Sequence, residues 1–206
     1  MTYLYPQASL AVFCKAPIPG QVKTRLIPDM TQQQAADVHM LLTNRLLSWL
    51  DKAQLCPITL WCSPDTSHPF FQACAAKYCM SLEEQKGTDL GDKMQYTIAR
   101  HLKSSSQALL IGCDSPSVRQ CDVSNMIERL QSNDDVVLAP AEDGGYVMIG
   151  CRKDYPILFS DMEWGIDNVS DKTRLRAIES GIRLSSLRIH WDVDNYSDWQ
   201  RFCALE

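Results

Sequence analysis

The sequence predicts an α/β protein built on a mixed, mostly parallel sheet. Three observations lead there. Residues Ala8 to Cys14, Leu109 to Gly112 and Asp135 to Pro140 form apolar runs without polar alternation, the pattern of strands buried on both faces. Segments with helical periodicity separate those runs. The tripeptide Asp143-Gly144-Gly145 lies between two apolar runs, so the second run is expected to return antiparallel through a tight turn.

The elements follow in order. Ala8 to Cys14 is the first buried strand, and it feeds the loop Lys15-Ala16-Pro17-Ile18-Pro19-Gly20-Gln21-Val22-Lys23-Thr24-Arg25-Leu26. Two prolines stiffen this loop, Gly20 allows one free turn, and Lys15, Lys23 and Arg25 carry positive charge. A loop after the first strand is where mononucleotide-binding folds place phosphates, although a solvated basic loop would have the same composition. The loop lacks Walker glycine spacing, and the chain contains no Gly-x-Gly-x-x-Gly.

Thr31 with Gln34 forms a capping box, after which Val38, Leu41, Leu42, Leu46, Trp49 and Leu50 recur at helical spacing. Pro57 to Cys62 reads as a strand, and a short helix is expected near 68–77. Gln85 to Met94 leads into a further helix with Asp89 as N-cap and Leu90, Met94, Ile98 and Leu102 on one stripe. A helix start bearing Gly91 can contact a base or sugar through its backbone, and capping alone explains it equally well.

Leu109 to Gly112 runs into Cys113-Asp114-Ser115-Pro116. This is the signature of a central strand ending at the carboxyl edge of a parallel sheet. A carboxylate there can hold a divalent cation that grips a diphosphate, and strand-end aspartates also commonly cap turns. Val123 to Leu130 is expected to be helical and Asp135 to Pro140 a strand. In the turn that follows, Asp143 can accept hydrogen bonds from hydroxyl groups while Gly144 and Gly145 allow close backbone approach, and a plain Asp-Gly hairpin is the commoner explanation. Pro156 to Trp164 reads as an irregular apolar loop, Val169 to Ser180 as a polar-faced helix, and Ile182 to Leu187 as the last strand. Asp192 and Asp194, two apart in extended chain, point the same way and can face one ion; Asp194 or Asp198 can alternatively cap the terminal helix.

Composition limits the function. The 206 residues, 45% of them hydrophobic, suit one domain spanning 1–206, and the net charge of -5 argues against a nucleic-acid partner. Nine cysteines are scattered without a Cys-x-x-Cys pair, which argues against zinc and fits reduced thiols in the cytoplasm. No apolar run approaches membrane-spanning length. No Gly-x-Ser-x-Gly elbow occurs, and His39, His68, His101 and His190 form neither a metal-ligand pair nor an evident nucleophile partner by spacing.

Taken together, Lys15 to Leu26, Gln85 to Met94, Gly112 to Pro116, Asp143 to Tyr146 and Asp192 to Asp198 resemble bacterial transferases of the GT-A nucleotide-diphospho-sugar type. Members of the family it resembles are named as radical-SAM/selenodomain-associated transferases or arsenosugar-biosynthesis-type glycosyltransferases. These are in turn similar to guanylyltransferases for phospholactate and molybdenum cofactor. The strings Lys-x-Pro-x-Pro-Gly-x-x-Lys-Thr-Arg-Leu and Asp-Gly-Gly-Tyr are its most specific parts. Departures from the family pattern are Ser115 in place of Cys, Lys93 in place of Arg, and Gly165 after Trp164 where a hydroxyl residue is usual.

The resemblance implies a three-layer α/β/α sandwich on a mixed, mostly parallel sheet. It implies a nucleotide site formed by Lys15, Pro19, Gly20, Lys23, Thr24, Arg25, Asp89 and Gly91. It also implies Mg2+ or Mn2+ on Asp114, Asp194 and Asp192, and a sugar or acceptor side lined by Asp143, Gly144, Gly145, Tyr146 and Trp164. Asp114, Asp143, Lys23 and Arg25 are the expected catalytic residues. The expected activity is glycosyl transfer from a nucleotide sugar to a small-molecule acceptor. The alternatives are nucleotidyl transfer from an NTP and a non-catalytic nucleotide-binding module.

Overall fold

A computed structural model describes residues 2–205. Strands β1 (Ala8–Lys15), β2 (Ile58–Ser63), β3 (Ser81–Glu84), β4 (Gln107–Gly112), β5 (Val136–Pro140), β6 (Tyr146–Cys151) and β7 (Leu184–Ser186) form one sheet in the order β3-β2-β1-β4-β6-β5-β7. Every pairing is parallel except those of β6, which runs antiparallel between β4 and β5. The return after Asp143-Gly144-Gly145 is therefore antiparallel, as the turn chemistry predicts.

Both faces of the sheet are covered. Helices α1 (Gln32–Ala53), α2 (Pro69–Tyr78) and α4 (Gln120–Ser132) pack Leu46, Leu50, Phe71, Met126 and Ile127 onto Leu10, Val12, Leu60 and Ile111. On the opposite face, Met94 and Ile98 of α3 (Leu90–His101) and Ala177 of α5 (Val169–Glu179) pack on Ala11, Trp61, Leu110 and Ile149. Successive residues of β1 thus enter opposite cores, which explains why the strand shows no polar alternation. The irregular segment 156–164 closes the second face with Leu158, Phe159 and Met162 buried.

A third apolar cluster lies off the sheet. Leu26, Ala35, Val38 and Leu42 meet Trp191, Val193 and Phe202, the last on α6 (Tyr196–Cys203). It joins the basic loop, the start of α1 and the late acidic segment.

The structure departs from expectation in three places. β3 was not anticipated because Ser-Leu-Glu-Glu carries too little apolar signal; it is an edge strand that needs only one partner. The last strand is shorter than 182–187. Leu41 and Leu90, assigned to core stripes, are 45% and 44% exposed. The capping box at Thr31 and Gln34 and the Asp89 cap on α3 are both present.

A buried polar bridge crosses the second face. Trp61 Nε1 donates to His101 Nε2 at 2.9 Å, so the ring is neutral with its proton on Nδ1, 2.8 Å from Ser9 Oγ. Burial, followed by the nearby Arg100 charge, lowers the His101 pKa to about 4. The unfolded chain binds this proton near pH 6.5 and the folded chain does not, so stability is present above pH 6.5 and is lost as pH falls toward 4. Urea unfolding at pH 7.5 and pH 5 should show a loss of about 2 kcal/mol from this group. A His101→Gln variant should flatten that part of the pH slope, and an unchanged slope would contradict the assignment.

Candidate functional site

From β1 the chain moves outward through β2 to the edge strand β3 and then crosses back to β4 on the other side of β1. This reversal leaves a crevice at the carboxyl ends of β1 and β4, the place where open α/β sheets bind ligands. A cleft of about 470 Å³ occupies it, lined by Lys15, Lys23, Thr24, Arg25, Asp114, Asp143, Gly145, Tyr146, Trp164, Asp192 and Asp194 among others.

Residues far apart in sequence converge at its centre. Asp114, Asp192 and Asp194 each offer an oxygen, and the three oxygens lie within 4.8 Å of one another. Lys23 Nζ is 2.7 Å from Asp114 Oδ2 and 3.1 Å from Asp194 Oδ1, with its side chain only 6% exposed. Burial alone would lower the Lys23 pKa, but the Asp114 and Asp194 carboxylates outweigh it and hold the amine protonated. Burial likewise acts to raise Asp114, and Lys23 reverses this, keeping its carboxyl below the usual range. For Asp192 the Lys23 charge offsets only part of the penalty. Burial, then repulsion from Asp114 and Asp194, pushes its pKa up to about 7. The cluster is a hard oxygen donor set short of positive charge, which fits Mg2+ or Mn2+.

Lys23 reaches the cluster from a left-handed backbone position, φ 47°, with Leu26 anchored in the off-sheet core three residues on. The expectation grouped Lys23 with phosphate ligands, whereas here its ammonium is shared between two carboxylates. Arg25 contacts Asp194 at 3.0 Å but is 69% exposed, so its guanidinium opens to the cleft.

The acidic segment is held from behind. Val193 is fully buried between the two outward aspartates, the period of two expected for extended chain. Val193 N donates to Asp114 O at 3.1 Å, Ser115 Oγ donates to Trp191 O at 2.7 Å, and Trp191 N donates to Ser117 Oγ at 3.0 Å. Helix α6 is capped by Asn195 with Asp198 in a capping box, so neither Asp192 nor Asp194 is used as a cap. Ser115 and Ser117 are positioning residues that sequence reasoning missed; their proximity to Asp114 was the available signal.

Across the cleft, Asp143 Oδ1 accepts from Gly145 N at 2.9 Å, fixing the turn. Gly144 has φ +86°, and a Cβ there would stand 1.8 Å from Asp167 O, so the turn is clamped to the approach of α5 by close backbone contact. Tyr146 and Trp164 meet edge to face at 6.3 Å. Their polar atoms, Tyr146 Oη and Trp164 Nε1, are buried with no partner among the described residues, so ring surface is what they offer the cleft.

Four expected nucleotide contacts lie elsewhere. Pro19 and Gly20 do not line the cleft, and Asp89 Oδ1 accepts from Asp92 N as the α3 cap. A Cβ on Gly91 would come within 2.5 Å of Phe159 O and 2.8 Å of Trp164 Nε1, so this glycine serves packing.

The fold and its likeness to known proteins place the chain in the nucleotide-diphospho-sugar transferase superfamily, among nucleotide-sugar-related transferases. More narrowly, it belongs to the bacterial family described as "Uncharacterized protein conserved in bacteria (DUF2064)", which matches residues 46–166. Among solved structures it is similar to a protein from Desulfovibrio desulfuricans G20 provisionally assigned as a nucleotide-diphospho-sugar transferase. The two share 27% identity at a TM-score of 0.84, covering 92% of this chain and 83% of that one. A cytidylyltransferase from Leptospira borgpetersenii serovar Hardjo-bovis (strain JB197) shares the fold at 12% identity and TM-score 0.61, covering 96% and 85%. A CMP:2-keto-3-deoxy-manno-octonic acid synthetase complexed with CTP does so at 11% and 0.59, covering 97% and 98%. No curated protein matches the sequence. No helix among the described residues is long and apolar enough to cross a membrane.

The charge balance around Lys23 is testable without substrate. Lys23→Met keeps the length but leaves Asp114 and Asp194 facing each other. Because both carboxylates are about one-third exposed, the loss should be about 1 to 3 kcal/mol in divalent-free buffer rather than the full cost of a buried orphan charge. Urea unfolding measures it, and an unchanged midpoint would show that the ammonium does not hold the cluster.

Proposed function

We propose that this chain is a divalent-metal-dependent glycosyltransferase that moves a sugar from a nucleotide-diphospho-sugar to a small-molecule acceptor. The observation that carries the proposal is the juxtaposition, in one cleft, of the Asp114, Asp192 and Asp194 cluster with exposed cations on one side and the Asp143 turn with Tyr146 and Trp164 on the other. The first half has the chemistry to hold a diphosphate. The second has a hydroxyl acceptor and aromatic surface suited to a sugar ring.

In this reading, Asp114, Asp192 and Asp194 hold Mg2+ or Mn2+, which supplies positive charge against the leaving diphosphate. Arg25 and Lys15, which line the cleft, bind phosphate oxygens, and Lys23 keeps the carboxylates together and adds its charge to the same region. Phe13, Leu90, Met94 and Leu110 give the cleft an apolar wall that fits a nucleobase. Asp143 orients a sugar or acceptor hydroxyl. Likeness to the Desulfovibrio protein supports a sugar donor.

Nucleotidyl transfer from an NTP is the second reading. It is favoured by the metal ligands coming from the end of β4 and from a late segment, and by the fold shared with cytidylyltransferases. The two reactions differ in the atom attacked, the sugar carbon or the α-phosphorus.

A panel of NTPs and nucleotide sugars with Mg2+ or Mn2+ and candidate acceptors distinguishes them. Release of nucleoside diphosphate from a nucleotide sugar, reduced by at least about 100-fold in Asp114→Asn, is the expected result. Arg25→Ala should weaken donor binding by about tenfold or more in calorimetry, the loss of a charge-assisted hydrogen bond. Pyrophosphate release from an NTP with nucleotide sugars inert establishes the second reading. Tight nucleotide binding without turnover of any donor defeats both.

A further inference from the structure

Beneath the carboxylate cluster, three side chains from three different elements converge. Cys14 from β1, His39 from α1 and Cys113 just past β4 are 1%, 5% and 5% exposed, and their two sulfurs and a ring nitrogen lie within 4.8 Å of one another. Sequence spacing hides this group, since its members are separated by 25 and 74 residues. We infer that Cys14, His39 and Cys113 form a binding site for one thiophilic divalent cation of the zinc type, distinct from the carboxylate site above it.

The geometry suits such an ion. Zinc bonds of about 2.3 Å to sulfur and about 2.05 Å to nitrogen, at a tetrahedral angle, separate the two ligand atoms by about 3.6 Å. Cys14 Sγ and His39 Nε2 are 3.5 Å apart. The Lys15 carbonyl oxygen, 2.9 Å from His39 Nε2 and 3.4 Å from Cys14 Sγ, offers a fourth donor. The charge also balances. Both thiols release a proton to solvent, the two thiolates neutralise the ion, and the neutral imidazole moves its proton from Nε2 to Nδ1, so no net charge is left buried. Access exists because Cys14, His39 and Cys113 all line the floor of the cleft.

The cation's chemical class separates this site from its neighbour. Two sulfurs and an imidazole select a borderline-soft ion, whereas Asp114, Asp192 and Asp194 select a hard one. Cys14 immediately precedes Lys15, and Cys113 immediately precedes Asp114. A bound ion therefore ties the ends of β1 and β4 to α1 directly behind the carboxylate cluster.

The test uses the full chain, reduced and metal-stripped, with the exposed Cys79, Cys121 and Cys203 replaced by serine. Titration with Co2+ should produce a thiolate-to-cobalt charge-transfer band with tetrahedral d–d absorption, saturating at one ion per chain and displaced by Zn2+. The band should persist in Asp194→Asn and vanish in Cys14→Ser/Cys113→Ser. Absence of the band, or its survival in the double variant, overturns the inference. Should the double variant lose its fold by circular dichroism, X-ray absorption at the zinc edge on the triple-serine protein decides: two sulfur scatterers per zinc support the site, and a shell of only nitrogen and oxygen refutes it.

Discussion

The site depends on a single ammonium group held between carboxylates. Lys23 is almost wholly buried, a position that strongly disfavours its charge, and it remains protonated because Asp114 and Asp194 lie within 3.1 Å. The same contact lets two carboxylates from distant parts of the chain, Asp114 and Asp194, approach one another. Without it, three acidic groups at the mouth of one crevice would repel. Asp192 shows the direction of the effect: burial first, and then repulsion from Asp114 and Asp194, raises its carboxyl into the neutral range even with Lys23 present.

Bringing these groups together required structure away from the sheet. The off-sheet apolar cluster buries Leu26 on one side and Val193 on the other, so hydrophobic contact as well as charge holds the basic loop against the acidic segment. Backbone and serine hydrogen bonds from 114–117 to 191–193 then fix the register of the aspartates. The sheet supplies the remaining condition by reversing its strand order between the parallel neighbours β1 and β4, which opens the crevice into which these charges project. On the far wall, Gly144 and Gly91 allow backbone and aromatic groups to approach at distances that any side chain would block.

Much of the fold was legible locally. The doubly buried strands, the Thr31 capping box, the Asp89 cap and the antiparallel return at Asp143-Gly144-Gly145 all rest on interactions within a few residues, and each is present. Elements whose existence depends on a neighbour were harder to see. β3 exists only because β2 offers it an edge, and Leu90 left its helix stripe because the cleft opens beside it. Among site residues, Asp114 at a strand end and the Asp192-Val193-Asp194 alternation carried their own signal. Gly91 looked like a ligand contact because a glycine at a helix start has the same sequence whether it faces a ligand or a tryptophan.

By itself, the sequence determined the class of fold, the polarity of the strands and the chemical identity of the groups at the sheet's carboxyl edge. Periodicity, caps and turns are short-range and are written in adjacent residues. Only the tertiary structure decided which of those groups share space. It paired Lys23 with Asp114 and Asp194 across 91 and 171 residues, turned the polar ends of Tyr146 and Trp164 inward, and gathered Cys14, His39 and Cys113 from two strand ends and a helix. Such proximities arise from packing the two sheet faces and the off-sheet cluster simultaneously, and spacing along the chain carries no record of them.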